Sequence, residues 1–167
     1  MHKKFTYMET EMISIKVIDQ FTGEYAFLSN FHPCRVSSFG LIYPSVEAAF
    51  QAAKCADSKE RAQFLTLTPA QAKRRGRHIQ IRPDWEQRRL AVMRDLLAHK
   101  FQENPELIPK LLATDKSVLV EGNTWHDNFW GSCTCPHCAG RRGCNHLGKL
   151  LMNLRTGYYV RTHRQKG

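Results

Sequence analysis

The segment Pro44–Lys54, PSVEAAFQAAK, constrains the fold more than any other part of the chain. Pro44 and Ser45 open it, and Ala48, Ala49, Ala52 and Ala53 give it strong helix propensity. Side chains this small let another backbone, or a ligand, approach the helix closely. Glu47, Gln51 and Lys54 stand at i, i+4 and i+7, on one face. Taken alone, that row reads more simply as the solvated stripe of an amphipathic helix than as a working site.

Around this helix the pattern is mainly α. Residues 13–42 alternate β-branched or aromatic pieces with turn residues (Thr22-Gly23, His32-Pro33, Phe39-Gly40), which predicts short strands and loops. Helices are expected over 59–65 and over 69–75, the latter behind a Thr68-Pro69-Ala70-Gln71 start signal and ending at Gly76. A longer one begins at Asp84, with Leu90, Met93, Leu97 and Phe101 facing the core. Another short helix runs from Asn104 to Leu112, a strand from Ser117 to Glu121, and a last helix carries Leu147, Leu150, Leu151 and Leu154 to an end near Gly157. The first dozen and last seven residues read as frayed termini. The expectation is one domain over 1–167, mainly α, with a small N-terminal β element and no βαβ alternation to make a parallel sheet.

The 167 residues include nine Phe, five Tyr and three Trp, enough apolar material for a real core. No apolar leader or membrane-length run is visible, so a soluble cytoplasmic protein without a membrane partner is expected. Twenty-five Lys and Arg against fifteen Asp and Glu give a formal charge of +10, which favours phosphorylated or polyanionic partners. No glycine-rich dinucleotide fingerprint is present, and no cofactor is required.

Two further segments place polar and aromatic groups where packing alone does not demand them. Trp85, in Arg82-Pro83-Asp84-Trp85, is either a core anchor or a stacking plate for a flat heterocycle. The run Glu121–Gly131, EGNTWHDNFWG, holds two Trp, a Phe, an Asp and two Asn. It reads equally as a ligand loop or as a packed loop whose Asp and Asn satisfy backbone donors. Beyond it, Cys133, Cys135, Cys138 and Cys144 crowd together with Pro136 and several Gly. That spacing is compatible with a tetrahedral structural zinc, with His137 or His146 as substitutes for the fourth ligand; the alternative is reduced thiols in a loop. Cys34 and Cys55 read as small buried hydrophobes.

Over roughly residues 21–156 the chain resembles the NADAR (YbiA-like) N-glycosidase family. The matching pieces are Phe27–Phe31 (FLSNF), Tyr43–Lys54, Asp84-Trp85, Val92–Arg94, Lys100-Phe101, Leu111–Thr114, Asp127–Gly131 (DNFWG) and Gly143–Arg155. Each is weak alone; their order and spacing together are specific. The resemblance implies a YbiA-like helical domain and hydrolysis of a ribose C1–N bond. Breaking that bond develops positive charge at C1 and calls for a carboxylate. By resemblance Glu47 and Asp127 are the carboxylates, and Trp85 stacks on base or ribose. Lys54 contacts phosphate or forms a Schiff base with an opened sugar. Asn30, Phe31, Gln51, Trp130 and Asn145 line the pocket, and Arg155 is structural or phosphate-directed. The cysteine-bearing stretch 132–144 departs from the short glycine-rich loop of the family and puts the pocket rim, hence substrate choice, in question.

Three function classes follow. The first is an N-glycosidase that removes ADP-ribose from guanine in DNA, a reading the positive charge favours over its metabolic counterpart, a hydrolase of phosphoribosylated aminopyrimidines of riboflavin synthesis. The second is a non-catalytic ADP-ribose or nucleic-acid binding module, which leaves Glu47, Trp85 and Asp127 without a purpose. A DNA-binding helix-turn-helix fits poorly, because the basic residues do not gather on one helix.

Overall fold

The computed structural model describes residues 15–164. In chain order the elements are β1 (Val17–Ile18), a 3-10 turn (Gly23–Leu28), β2 (Val36–Ser38), β3 (Leu41–Tyr43), α1 (Val46–Ala53), α2 (Ser58–Ala62), α3 (Pro69–Arg75), α4 (Trp85–Glu103), α5 (Leu107–Ala113), β4 (Val118–Leu119), β5 (Gly122–Asn123), β6 (Ser132–Cys133), a second 3-10 turn (Pro136–Cys138) and α6 (His146–Arg164). The architecture is mainly helical, as the sequence pattern requires, and no described helix is long and apolar enough to cross a membrane.

The alanine-rich helix is the hub. Ser45 caps α1 by accepting the Ala48 N–H at 3.1 Å, and every residue from Val46 to Ala53 is buried. With methyl groups on most of its surface, α1 takes α3, α4 and the β2–β3 hairpin on different sides. The hairpin turns at Phe39 and Gly40, both with positive φ (53° and 73°), the geometry that suits two-residue loops. Thr68 and Gln71 form the expected capping box of α3, which ends at Gly76. Asp84 precedes α4 but makes no side-chain cap; its carboxylate accepts from Arg82 at 3.0 Å instead.

Met93, Leu97 and Phe101 on α4 face the core together with Trp85 and Leu96, whereas Leu90 is exposed and lies off the buried stripe. The same helix buries Lys100 completely, and its amine donates to the Ser29 carbonyl at 2.8 Å. Burial pushes that amine down to about 8. The contact ties α4 to the segment just before Asn30.

Three helix ends differ most from expectation. α2 ends at Ala62 rather than Leu65, and α5 begins at Leu107, beyond Asn104. α6 does not stop at Gly157 but runs on to Arg164. A Cβ at Gly157 would meet nothing within 4 Å, so this glycine lies on an open face; there it weakens the helix by ~1 kcal/mol relative to Ala without ending it. Part of the tail expected to fray is therefore helical, while the first dozen residues and 165–167 lie outside the described residues. The small N-terminal β element is present, and two short parallel pairings accompany it, β1 with β4 and β5 with β6. The strand expected over Ser117–Glu121 is present as the shorter β4, whereas β5 and β6, two residues each, leave no sequence pattern.

Candidate active site

The site forms where α1, α3 and the 121–130 segment meet. On α1, Glu47 and Gln51 lie one turn apart and both are buried, with Gln51 Nε2 donating to Glu47 Oε1 at 2.8 Å. The solvated-stripe reading of this face therefore fails: only Lys54, a turn further on, is half-buried. Gln51 is wedged against Gly76 at the end of α3, where a Cβ would come within 1.9 Å of Gln51 Oε1. The Glu47 N–H donates to the Asn30 carbonyl at 3.0 Å, which sets the FLSNF segment beside the helix. Asn30 Oδ1, Gln51 Oε1 and Tyr43 Oη are buried polar atoms without a partner among the described residues.

Opposite α1, the β5–β6 pairing brings Glu121 and Asp127 into the site. The Ser132 N–H donates to the Glu121 carbonyl at 2.9 Å, an approach that excludes any side chain at Gly131, whose Cβ would sit 2.0 Å from that oxygen. Asp127 closes the next turn: its Oδ1 accepts the N–H groups of Phe129 (3.0 Å) and Trp130 (2.8 Å), while Asn123 brackets its backbone through both side-chain atoms. The Asp127 and Asn123 side chains thus satisfy the loop's own backbone groups, as the packed-loop reading of the sequence has it.

Electrostatics bind these carboxyls into one system. Burial raises Glu47 above the usual carboxylate range, opposed by the Gln51 hydrogen bond and by Lys73 and Lys54, and reinforced by Asp127. Glu121 is pushed up to about 7, first by burial and then by Asp127, with Glu47 adding to the rise and Lys73 opposing it. Burial lowers Lys54, and Glu47 partly restores it. The Lys54 amine lies 5.6 Å from the Phe50 ring centre and 6.0 Å from that of Trp85.

The aromatic residues divide into two groups. Trp85 is only 5% exposed and packs on Phe50 (5.0 Å), which also meets the edge of Trp130 (5.4 Å). Trp85 is thus a core anchor, packed on Phe50 at the start of α4 with the Lys54 amine 6.0 Å from its ring centre. The open rings are Phe31 and Trp125, the latter 59% exposed, and Lys73 stands 5.5 Å from each. The Asn145 side chain is taken up by backbone groups. At φ 50° Asn145 opens α6, accepts the Glu121 N–H at 3.1 Å and donates to the Leu119 carbonyl at 2.8 Å, so it supports Glu121 from behind. Arg155 is structural: it donates to Thr114 Oγ1 (2.7 Å) and to the Ser117 carbonyl (2.9 Å).

Glu121, Lys73 and Trp125 were not picked out by sequence reasoning. Lys73 is half-buried, unlike the exposed Arg74, Arg75 and Arg77 that follow it, and the basic run hides that difference. The cysteine cluster is also corrected. Cys133, Cys135 and Cys138 converge with His126, all four donor atoms lying within 4.8 Å of one another. Cys144 is exposed and stands outside that group, since its backbone N–H is tied to the Asn128 carbonyl at 2.7 Å. Neither substitute replaces it: His137 stacks on His126, and His146 packs on the Phe129 ring.

The domain is mainly helical, and its carboxyls Glu47, Glu121 and Asp127 cluster beside Lys54 and Lys73 with only Glu47 fully buried. The family model described as the NADAR domain matches residues 18–157, and the chain belongs to the NADAR family. It is 38% identical over 138 residues to N-glycosidase YbiA of Escherichia coli, covering 80% of this chain and 82% of that protein. An N-glycosidase of Nostoc punctiforme is 35% identical over 137 residues, covering 78% of this chain and 84% of that one. A riboflavin biosynthesis protein of Vibrio vulnificus is 37% identical over 134 residues, and the chain spans only 35% of its length. The NMR structure of E. coli YbiA superposes with a TM-score of 0.74 at 33% identity, covering 90% of this chain and 89% of that one.

Proposed function

We propose that this chain is an N-glycosidase that hydrolyses the bond between ribose C1 and a nitrogen on phosphate-bearing substrates, and that its substrate is ADP-ribose attached to guanine in DNA. Hydrolysis of an N-glycosyl bond is the activity its relatives are named for. The observation that carries the reading is the pair of carboxyls, Glu47 buried and Glu121 half-buried, set against Asp127 and flanked by Lys54 and Lys73.

The reaction adds the oxygen of water to C1, returns the C1–N bonding electrons to nitrogen and delivers a proton there. Glu121, at about 7, holds a proton on an appreciable fraction of molecules at neutral pH and suits the leaving nitrogen. Glu47, hydrogen-bonded by Gln51 and near two lysines, suits the carboxylate that faces the positive charge at C1. Asp127 keeps one oxygen on its own loop and offers the other to the attacking water. Phe31 and Trp125 supply open ring faces for the base. Lys73, with Arg74, Arg75 and Arg77 exposed on or just beyond α3, supplies positive charge for phosphate, and with the net +10 this favours a nucleic-acid substrate.

Two specific observations favour other readings. The relatives named riboflavin biosynthesis proteins point to a phosphoribosylated aminopyrimidine. The lowered, half-buried Lys54 suits a nucleophile that adds to C1 of an opened sugar and leaves as the imine is hydrolysed.

One experiment separates them. The chain and its Glu47→Gln variant are incubated with ADP-ribosylated guanine DNA and with a ribosylaminopyrimidine phosphate, with and without borohydride, and sugar release and protein mass are followed. Release from DNA, lost in the variant, supports the proposal. Release from the small substrate alone moves the activity to metabolism, and a reduced sugar adduct on Lys54 replaces the direct water attack. Binding without release from either substrate refutes the enzyme reading and leaves a binding module.

A further inference from the structure

We propose that His126, Cys133, Cys135 and Cys138 bind a zinc ion that pins the Asp127 loop from its outer side. The proposal stands apart from the identity of the substrate. Its starting point is the convergence of one imidazole and three thiols within 4.8 Å, in a loop with little apolar packing of its own.

The geometry fits a tetrahedral ion. With Zn–S of ~2.3 Å and Zn–N of ~2.0 Å, neighbouring S and N ligands of a tetrahedron lie ~3.5 Å apart. His126 Nδ1 lies 3.2 Å from Cys135 Sγ and 3.5 Å from Cys138 Sγ. Sulfur-rich sites with one imidazole select zinc among the common divalent ions. A disulfide is a poorer account, because three thiols leave one unpaired and the imidazole without a role.

The surroundings carry the outer shell such ligands need. Cys133 Sγ accepts the backbone N–H groups of His126 (3.4 Å) and Cys135 (3.5 Å). Asn128 donates to Cys138 Sγ at 3.3 Å while its Oδ1 accepts the Cys133 N–H at 2.9 Å. Three thiolates on one zinc leave a net negative charge, and Arg141 and Arg142 stand on the same loop.

Four protein ligands complete the tetrahedron, so the ion has no open position for water and is structural. Its reach into the site is through the chain. His126, at φ 67°, adopts a conformation that residues other than glycine seldom take, and the next residue is Asp127. Ligation offsets that strain and fixes the residue whose carboxylate holds the loop.

The test uses the full chain expressed in zinc-supplied medium and purified without chelator. Metal analysis should find about one zinc per chain. His126→Ala and Cys138→Ser should each retain less than a tenth of it, while Cys144→Ser keeps it in full. His126→Cys, which preserves four ligands, should retain the metal even if the alanine variant folds poorly. Cobalt(II) exchanged into the wild type and into Cys144→Ser should show the intense visible absorption of tetrahedral thiolate coordination. A wild-type chain with reduced thiols that holds neither zinc nor cobalt overturns the proposal. So does loss of zinc from Cys144→Ser as complete as that from Cys138→Ser. These readouts need no substrate, so the metal site can fail while the glycosidase reading stands, or the reverse.

Discussion

Glu121 makes the most exacting prediction. Its carboxyl titrates near 4.5 when free and near 7 in the folded chain, because burial and the facing carboxyls of Asp127 and Glu47 outweigh the pull of Lys73. A carboxyl raised by folding binds its proton more tightly in the native state. The stability it contributes is fully present below 4.5 and is lost as the pH rises through 7. At about 1.4 kcal/mol for each pH unit, that displacement corresponds to about 3 kcal/mol between the two limits. Glu121→Gln, which keeps shape and polarity without the proton, should remove this slope. Urea unfolding of both proteins from pH 4 to 8.5 gives the measurement, since slopes from all other groups cancel to first order in the difference. The variant's advantage should grow by a few kcal/mol towards alkaline pH. In the glycosidase assay it should flatten the alkaline limb of kcat against pH while lowering its height. Parallel stability curves for the two proteins would mean that Glu121 is solvated, and the general-acid role would fall with it.

Other perturbations probe separate parts of the site. Glu47→Gln should lower kcat by about 100- to 10,000-fold with the urea midpoint close to that of the wild type, because Gln51 retains a partner at that position. Asn145→Ala removes the acceptor of the Glu121 N–H and the donor to the Leu119 carbonyl, and should cost about 2–3 kcal/mol by chemical unfolding together with a fall in kcat. Gly131→Ala forces a Cβ to 2.0 Å from the Glu121 carbonyl and should destabilise by at least about 2 kcal/mol, with a lowered melting temperature as the readout. Lys73→Gln should raise KM on a DNA substrate and flatten the salt dependence of binding while kcat stays within a few-fold.

How much of this was legible in the sequence depended on the range of the interaction. Ser45, Thr68 with Gln71, and the Phe39-Gly40 turn act within three or four residues, and each signalled its element correctly. The row Glu47, Gln51, Lys54 was visible as a row, but its burial was not, because an amphipathic stripe and a buried polar stripe share one spacing. What separates them is α3 and the 121–130 loop arriving from elsewhere in the chain. The same reason explains Cys144. Nearness in sequence suggested it as the fourth thiol, whereas the β5–β6 pairing sets Asn123 beside Cys133 and so carries His126, three residues on, to the three sulfurs.

The three carboxyls differ in how they are held, and the division of work proposed for them follows that difference. Glu47 sits on a helix whose every residue is buried, so its position is set by the core and its charge is met by Gln51 and two lysines. Glu121 leaves a two-residue strand and is backed only by Asn145 and the Ser132 N–H, which hold its backbone and leave its carboxyl free to gain and lose a proton. Asp127 uses one oxygen to make its own turn, so any motion of that loop moves the carboxylate with it. In the proposed C1–N hydrolysis these three carboxyls would serve in turn as charge-stabilising group, proton donor and water ligand. The cysteine-bearing stretch is attached at the last of these through His126. A longer loop on that side can therefore reshape the pocket rim while Glu47 and Glu121, anchored on other elements, keep their places.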